Sequence, residues 1–176
     1  MTQILSRQQV DVDLFRFLDT DGDGTGTKEA TGNYALAEEE FYIQPPDGES
    51  YFISRLIIEI KDAGSIDAGS YGNGITLTNG IQVQKKDGSG VIVDFTDGEP
   101  IITNADWAKF CYDVKTSEFG SGNNYVNVRW TFSKATGGLK GGVFLDGSNN
   151  ERFTVILNDN FSNLTGHTFM VQGYKI

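Results

Sequence analysis

The sequence predicts an all-β fold: an antiparallel jelly-roll β-sandwich of about eight strands, with one or two short helices and an extended N-terminal arm. Three observations predict it. Short apolar runs recur from residue 34 onward, with turn residues between them. Several of these runs alternate apolar and polar positions with a period of two. Glycine is abundant, at 22 residues, and proline is rare, at 3, so the many turns are made by Gly rather than Pro. With 12 Phe, 7 Tyr and 2 Trp, the 176-residue chain can fill one sizeable core without disulfides.

The elements follow in order. Tyr34–Ile43 is the first expected strand and ends at the turn Pro45-Pro46-Asp47-Gly48. Tyr51–Lys61 is the second, with Phe52, Leu56, Ile58 and Ile60 on its inner face. Ile75–Gln84 and Val91–Phe95 flank Lys85-Lys86-Asp87-Gly88 and read as a hairpin; Asp97-Gly98 closes it. Tyr125–Ser133 has the cleanest alternation, with Val126, Val128, Trp130 and Phe132 on one face. Gly142–Leu145, Glu151–Asn158 and His167–Tyr174 complete the set. Asn104 can cap a short helix over Ala105–Phe110, whose first turn holds Asp106, and a second helical turn is expected at Asn160–Leu164.

Residues 1–33 read differently, as an arm and an Asp/Gly-rich loop set apart from the sandwich at 34–176. The arm carries Leu5, Val10, Val12, Leu14, Phe15 and Phe17 with no assigned core to fill. Contact with a partner explains them, and so does packing back on the chain's own sandwich; apolar positions alone leave both open.

There are 24 acidic and 14 basic side chains, a formal charge of −10. That argues against non-specific nucleic-acid binding, which needs a basic footprint, and against anionic membrane surfaces. No run approaches the roughly 20 apolar residues of a membrane span. The start of the chain lacks the basic and apolar regions of a signal peptide, so synthesis in a cytosol is expected, followed by residence there or release by lysis. The single cysteine, Cys111, allows no intrachain disulfide and is expected to be a small buried apolar residue.

The candidate chemistry is sparse. Asp19, Asp21 and Asp23 at alternate positions before Gly24 match the opening of a calcium loop, and Ca2+ is the one cofactor the pattern admits. The match then fails: the twelfth position, where a bidentate Glu belongs, is Ala30. The plain alternative is an Asp/Gly-rich turn. His167, the only histidine, has no Cys or His company for zinc and no strand-to-helix Gly-x-Ser-x-Gly elbow for a triad. It is expected to be a strand residue with one ring nitrogen hydrogen-bonded. Glu38, Glu39 and Glu40 raise the paired carboxylates of glycan-cleaving enzymes, but only Glu38 and Glu40 can share a face, and a solvated edge explains them. Gly69–Gly74 and Gly120–Asn124 lack the Lys and helix of a phosphate loop, and the sequons at Asn160 and Asn163 matter only in a secretory pathway. Trp130 reads as core; Trp107, in a short surface helix, fits stacking on a sugar or plain packing, and the sequence leaves both open. No catalytic constellation emerges, and a non-enzymatic protein is expected.

Tyr71–Ile81, Thr103–Trp107, Val128–Phe132 and Val171–Tyr174, with Gly24–Thr27 upstream, together resemble a family of jelly-roll head-decoration (cement) proteins of tailed phages. The resemblance runs from about Asp19 to the end of the chain. It implies a structural virion protein with no active site, made in the host cytoplasm. Such a protein sits on the outer surface of the capsid, commonly as a homotrimer, and ties neighbouring major capsid protein subunits together. The rival expectation is a carbohydrate- or receptor-binding sandwich of a phage tail or fibre, calcium-assisted through Asp19, Asp21 and Asp23. The two share a fold, and fold does not choose between them.

Overall fold

The computed structural model describes residues 12–62, 75, 77–96, 115–118, 124–132 and 142–176. The expected helix at 105–110, Trp107, Cys111, Leu5 and Val10 lie outside the described residues.

Two antiparallel sheets pack face to face. The larger runs β1 (Val12–Phe17), β10 (Gly166–Lys175), β3 (Ser50–Asp62), β7 (Asn124–Thr131) and β6 (Lys115–Glu118). β8 (Val143–Asp146) joins it on β3. The smaller runs β2 (Glu39–Ile43), β9 (Arg152–Leu157), β4 (Ile81–Asp87) and β5 (Gly90–Asp94). At thirteen residues, β3 is long enough to seat two neighbours end to end on one edge. Ser50–Ile53 pair with β8, and Arg55–Asp62 pair with β7.

The core lies between the sheets. Phe41, Ile43, Ile81, Val83, Phe153 and Val155 of the smaller sheet meet Leu14, Leu56, Ile58, Ile60, Trp130 and Phe169 of the larger. Each such side chain contributes roughly 1.5–3 kcal/mol by leaving water. Phe132 closes one end, with ring centroids 4.7 Å from Trp130, 5.3 Å from Phe95 and 5.5 Å from Phe153.

A bulge in β3 sets which side chains face the core. Ile53 is opposite Gly173 and Arg55 is opposite Gln172, so Ser54 is the extra residue. The extra residue reverses the alternation. Tyr51 and Ile53 point inward before it, and Leu56, Ile58 and Ile60 point inward after it. The expectation that even positions face inward therefore holds only beyond the bulge, and Phe52 lies on the opposite face from the core.

The larger correction concerns the N-terminal arm. From Val12 it is not outside the sandwich: β1 pairs with β10 along Val12–Phe17, and Leu14 and Leu18 are buried in the common core. Asp19 and Tyr42 then exchange two backbone hydrogen bonds, of 3.2 and 2.8 Å, so the chain crosses from one sheet to the other there. The apolar alternation here is weak: Leu14 is buried within the edge strand and Leu18 just after it, with the charged Asp13 and Arg16 among them. Two further expectations shift. Tyr34–Glu38 lie before β2 rather than in it, and Asn160–Leu164 form a tight turn closed by the Leu164 amide on the Phe161 carbonyl, 3.0 Å, rather than a helix.

Asp159 fixes the connection into β4. Its buried carboxylate accepts hydrogen bonds from the amides of Thr78 (3.1 Å), Asn79 (3.0 Å) and Gly80 (2.6 Å). Such charge-assisted bonds are roughly twice as strong as neutral ones, and the one to Gly80 is buried. Replacing Asp159 by Ala orphans these amides, and a loss of about 3 kcal/mol in urea unfolding is expected. Faster amide exchange confined at first to residues 78–80 should accompany that loss.

Candidate interaction surface

The outer face of the larger sheet follows from its register. Across β1, β10, β3 and β8, one row of partners reads Asp13, Tyr174, Phe52 and Phe144. The next row reads Phe15, Gln172 and Arg55, and the third Phe17, Met170 and Ile57. Ile57 and Met170 are buried but do not belong to the central core, consistent with this outer position. Phe15, Phe144 and Tyr174 are 47%, 39% and 42% exposed. Phe15 and Phe17, two residues apart on one strand face, stack edge to face at 6.1 Å. Large aromatic side chains grouped on one sheet face, rather than scattered, mark an interaction surface.

A cleft of about 480 Å³ opens on this face, lined by Asp13, Leu14, Phe15, Ser54, Arg55, Gln172, Gly173 and Tyr174. It lies at the β3 bulge, and Gly173, with no side chain, forms part of its lining. The Ser54 hydroxyl donates to the Gln172 carbonyl at 3.1 Å, and Arg55 Nη1 donates to Gln172 Oε1 at 3.1 Å. Arg55 Nε is buried and has no acceptor among the described residues.

The smaller sheet is different. Glu40 takes both Lys86 Nζ and Arg152 Nη2, the latter at 3.1 Å, and Lys85 pairs with Glu151 at 2.7 Å. The Arg152 guanidinium lies 5.0 Å from the centroid of the Tyr42 ring. Glu40 thus serves an ion-pair network, not a pair of catalytic carboxylates. Glu38 is exposed and lies outside the strand.

The structure brings Asp19, Asp21 and Asp23 together, with carboxylate oxygens within 4.8 Å of one another. Asp19 organises the loop itself. Its two oxygens accept the amides of Gly22 (2.5 Å) and Gly24 (2.9 Å). Both glycines have positive φ, 79° and 69°, which only Gly adopts freely. Burial and the neighbouring Asp21 push the Asp19 carboxyl above its ordinary pKa. The Thr25 hydroxyl and amide hold Asp23 below its own. No calcium-loop continuation follows: Ala30 is fully buried, its amide donating to the His167 carbonyl at 2.7 Å. Two of the three carboxylates, Asp19 and Asp23, are tied to the turn they fold.

His167 is enclosed on β10. Its ring lies 5.0 Å from Phe161 and 4.7 Å from Phe169, centroid to centroid. Nδ1 is 2.8 Å from the Ala30 carbonyl oxygen, which can only accept, so Nδ1 carries the proton. Burial lowers its pKa to about 4. A neutral, enclosed imidazole serves the fold, in line with the sequence reading.

Of the arm residues, Leu14 packs into the chain's own core, Phe15 is exposed and Phe17 is half-buried on the outer face. Val12 belongs to β1. Sequence reasoning missed Phe52, Arg55, Phe144, Gln172 and Tyr174. The available signal was β3 itself, where a strand covered on one face only should not carry both Phe52 and Ile57 among polar outer positions. No protein-family model, curated protein or solved structure matches the chain.

Proposed function

We propose that this chain is a structural virion protein of a tailed phage, a capsid decoration protein. It is made in the host cytoplasm, assembles as a trimer and docks on the outside of the head, where it ties major capsid protein subunits together. The observation that carries the reading is the aromatic outer face of the larger sheet, with Phe15, Phe144 and Tyr174 each more than a third exposed. A rigid two-sheet platform that turns aromatic side chains outward suits docking. Repetition on a lattice converts modest contacts into strong retention through effective concentration. The net charge of −10 limits non-specific association between particles.

We read the strand order as a jelly roll. β1-β10-β3-β7 oppose β2-β9-β4-β5, and the chain changes sheets between β1 and β2, β2 and β3, and β3 and β4. The resemblance in the sequence points the same way. The described residues supply no converging acid, base and nucleophile: His167 is enclosed, Glu40 is ion-paired and Asp19 is bound to amides. The test is addition of the purified chain to expanded empty heads of its phage. Heads that take up the protein should resist heat better than bare heads, and no uptake would overturn the proposal.

A further inference from the structure

We infer that the cleft beside Gly173 is a carboxylate-binding subsite. It seats an aspartate or glutamate side chain of a protein partner docked on the aromatic face, and so rests on the docking reading above.

Arg55 leaves β3 directly after the bulge and lines the cleft. It makes no ion pair with a described carboxylate, in a chain with ten more acidic than basic side chains. Lys85, Lys86, Arg152 and Lys175 each have a carboxylate within reach. Gln172 holds Nη1 of the guanidinium at 3.1 Å, which fixes its plane; Nε is enclosed, and Nη2 is left without a partner among the described residues. A guanidinium held in plane with donors to spare matches a carboxylate, which accepts two parallel N–H bonds. Phe15 and Tyr174 flank the cleft and screen it from water once a partner covers them, which strengthens a charged contact.

The chemistry of the walls selects the partner. Phe15 in the lining, with Phe52 and Phe144 beyond it on the same outer face, matches the apolar side chains that surround an acidic residue at a protein interface. Asp13 in the lining adds one negative charge, which repels a multiply charged group such as phosphate more strongly than a singly charged carboxylate.

The subsite is tested on the full chain in two ways. In solution, N-acetylglutamate is titrated at constant ionic strength while the Arg55 Nε–H and the Gln172 and Tyr174 amides are followed by NMR. A saturable shift that disappears from the amides in Arg55→Gln is expected. No saturable shift, or the same amide shift in Arg55→Gln, overturns the subsite. Glucuronate saturating at tenfold lower concentration than N-acetylglutamate assigns the cleft to acidic sugars and overturns the protein partner. On expanded heads, Arg55→Gln should bind roughly 30-fold more weakly, since losing one partner of a covered charged pair costs at least that much. Arg55→Lys, which keeps the charge without the fork, should fall between. Lys28→Gln, which removes an exposed cation elsewhere, should bind as the natural chain does. Equal binding by Arg55→Gln and the natural chain overturns the anchor. Failure of the natural chain to bind heads ends the docking reading instead, and the solution titration still decides whether the cleft takes a carboxylate.

Discussion

Replacing Gly173 by Ala is expected to lower stability by about 3 kcal/mol or more, a drop of roughly 6–12 °C in Tm for a chain of this size. The cause is backbone, not cavity. A Cβ at residue 173 would overlap the Phe52 carbonyl oxygen and crowd the Phe52 carbonyl carbon and the Ile53 Cα. None of these is the far end of a flexible side chain, so β10 must move away from β3 at the bulge. That pairing joins β1 to the rest of the larger sheet, because β1 contacts the sheet only through β10. Gly173→Val should therefore leave no cooperative transition at 25 °C. By contrast, Gly88 and Gly48 have open space where a Cβ would go. Gly88→Ala, free of positive φ as well, should shift Tm by no more than about 2 °C, within the range of ordinary surface substitutions. Circular dichroism melts of the three variants check this.

Acidification is the second large effect, and His167 is its source. The imidazole has a pKa of about 4 in the folded protein against 6.5 for the free group, because burial opposes its charge. The unfolded chain therefore binds the proton first. Stability is fully retained above pH 6.5, falls as pH drops through the window from 6.5 to about 4, and levels off below it. The difference amounts to about 3 kcal/mol at the lower end. Asp19 works in the opposite sense. Its raised carboxyl pKa favours the folded state at low pH and gives up that contribution as pH rises. Comparison with a variant isolates His167. His167→Leu keeps an apolar side chain between Phe161 and Phe169 and gives up the bond to the Ala30 carbonyl, so it should be less stable at pH 7. Its urea midpoint should then vary much less between pH 6.5 and 4 than that of the natural chain. Parallel pH dependence in the two proteins would remove His167 from the account.

How much the sequence disclosed depended on which way side chains had to face. Arg152–Leu157 and Gly166–Lys175 were legible because Phe153, Val155 and Leu157, or Phe169 and Val171, recur with a period of two in short runs of strand-forming residues. β6, with the sequence Lys-Thr-Ser-Glu, carries no apolar residue at all. It is a strand because β7 offers it a hydrogen-bonding edge, and that is a property of the neighbour. β1 failed for a related reason: two inward Leu residues in an edge strand look like scattered apolar residues in an arm. The bulge at Ser54 was invisible because an extra residue leaves no mark on composition, yet it decides that Phe52 joins Phe144 and Tyr174 on the outer face. The candidate surface was therefore legible only in part. Phe15 and Phe17 stood out as apolar residues with no core to fill, and the pattern did not reveal the cross-strand partners that make them a surface. In the Asp19 cluster the spacing was legible, and the structure does bring the three carboxylates within 4.8 Å of one another. The bonds from the amides of Gly22 and Gly24 to Asp19 depend on the fold of the loop.

The central claim is that the outer face of the larger sheet docks the protein on a phage head, and a sedimentation titration tests it most directly. The natural chain and the double variant Phe15→Ser, Phe144→Asp are mixed in increasing excess with expanded heads, and bound protein is measured in the pelleted particles. Both substituted residues are well exposed, so the variant should melt close to the natural chain. The account predicts saturable binding of the natural chain and at least a hundredfold loss for the double variant, the scale of losing two central aromatic contacts. Equal binding by the two proteins would contradict it by placing the docking surface elsewhere. Absence of binding by either would contradict the decoration role itself.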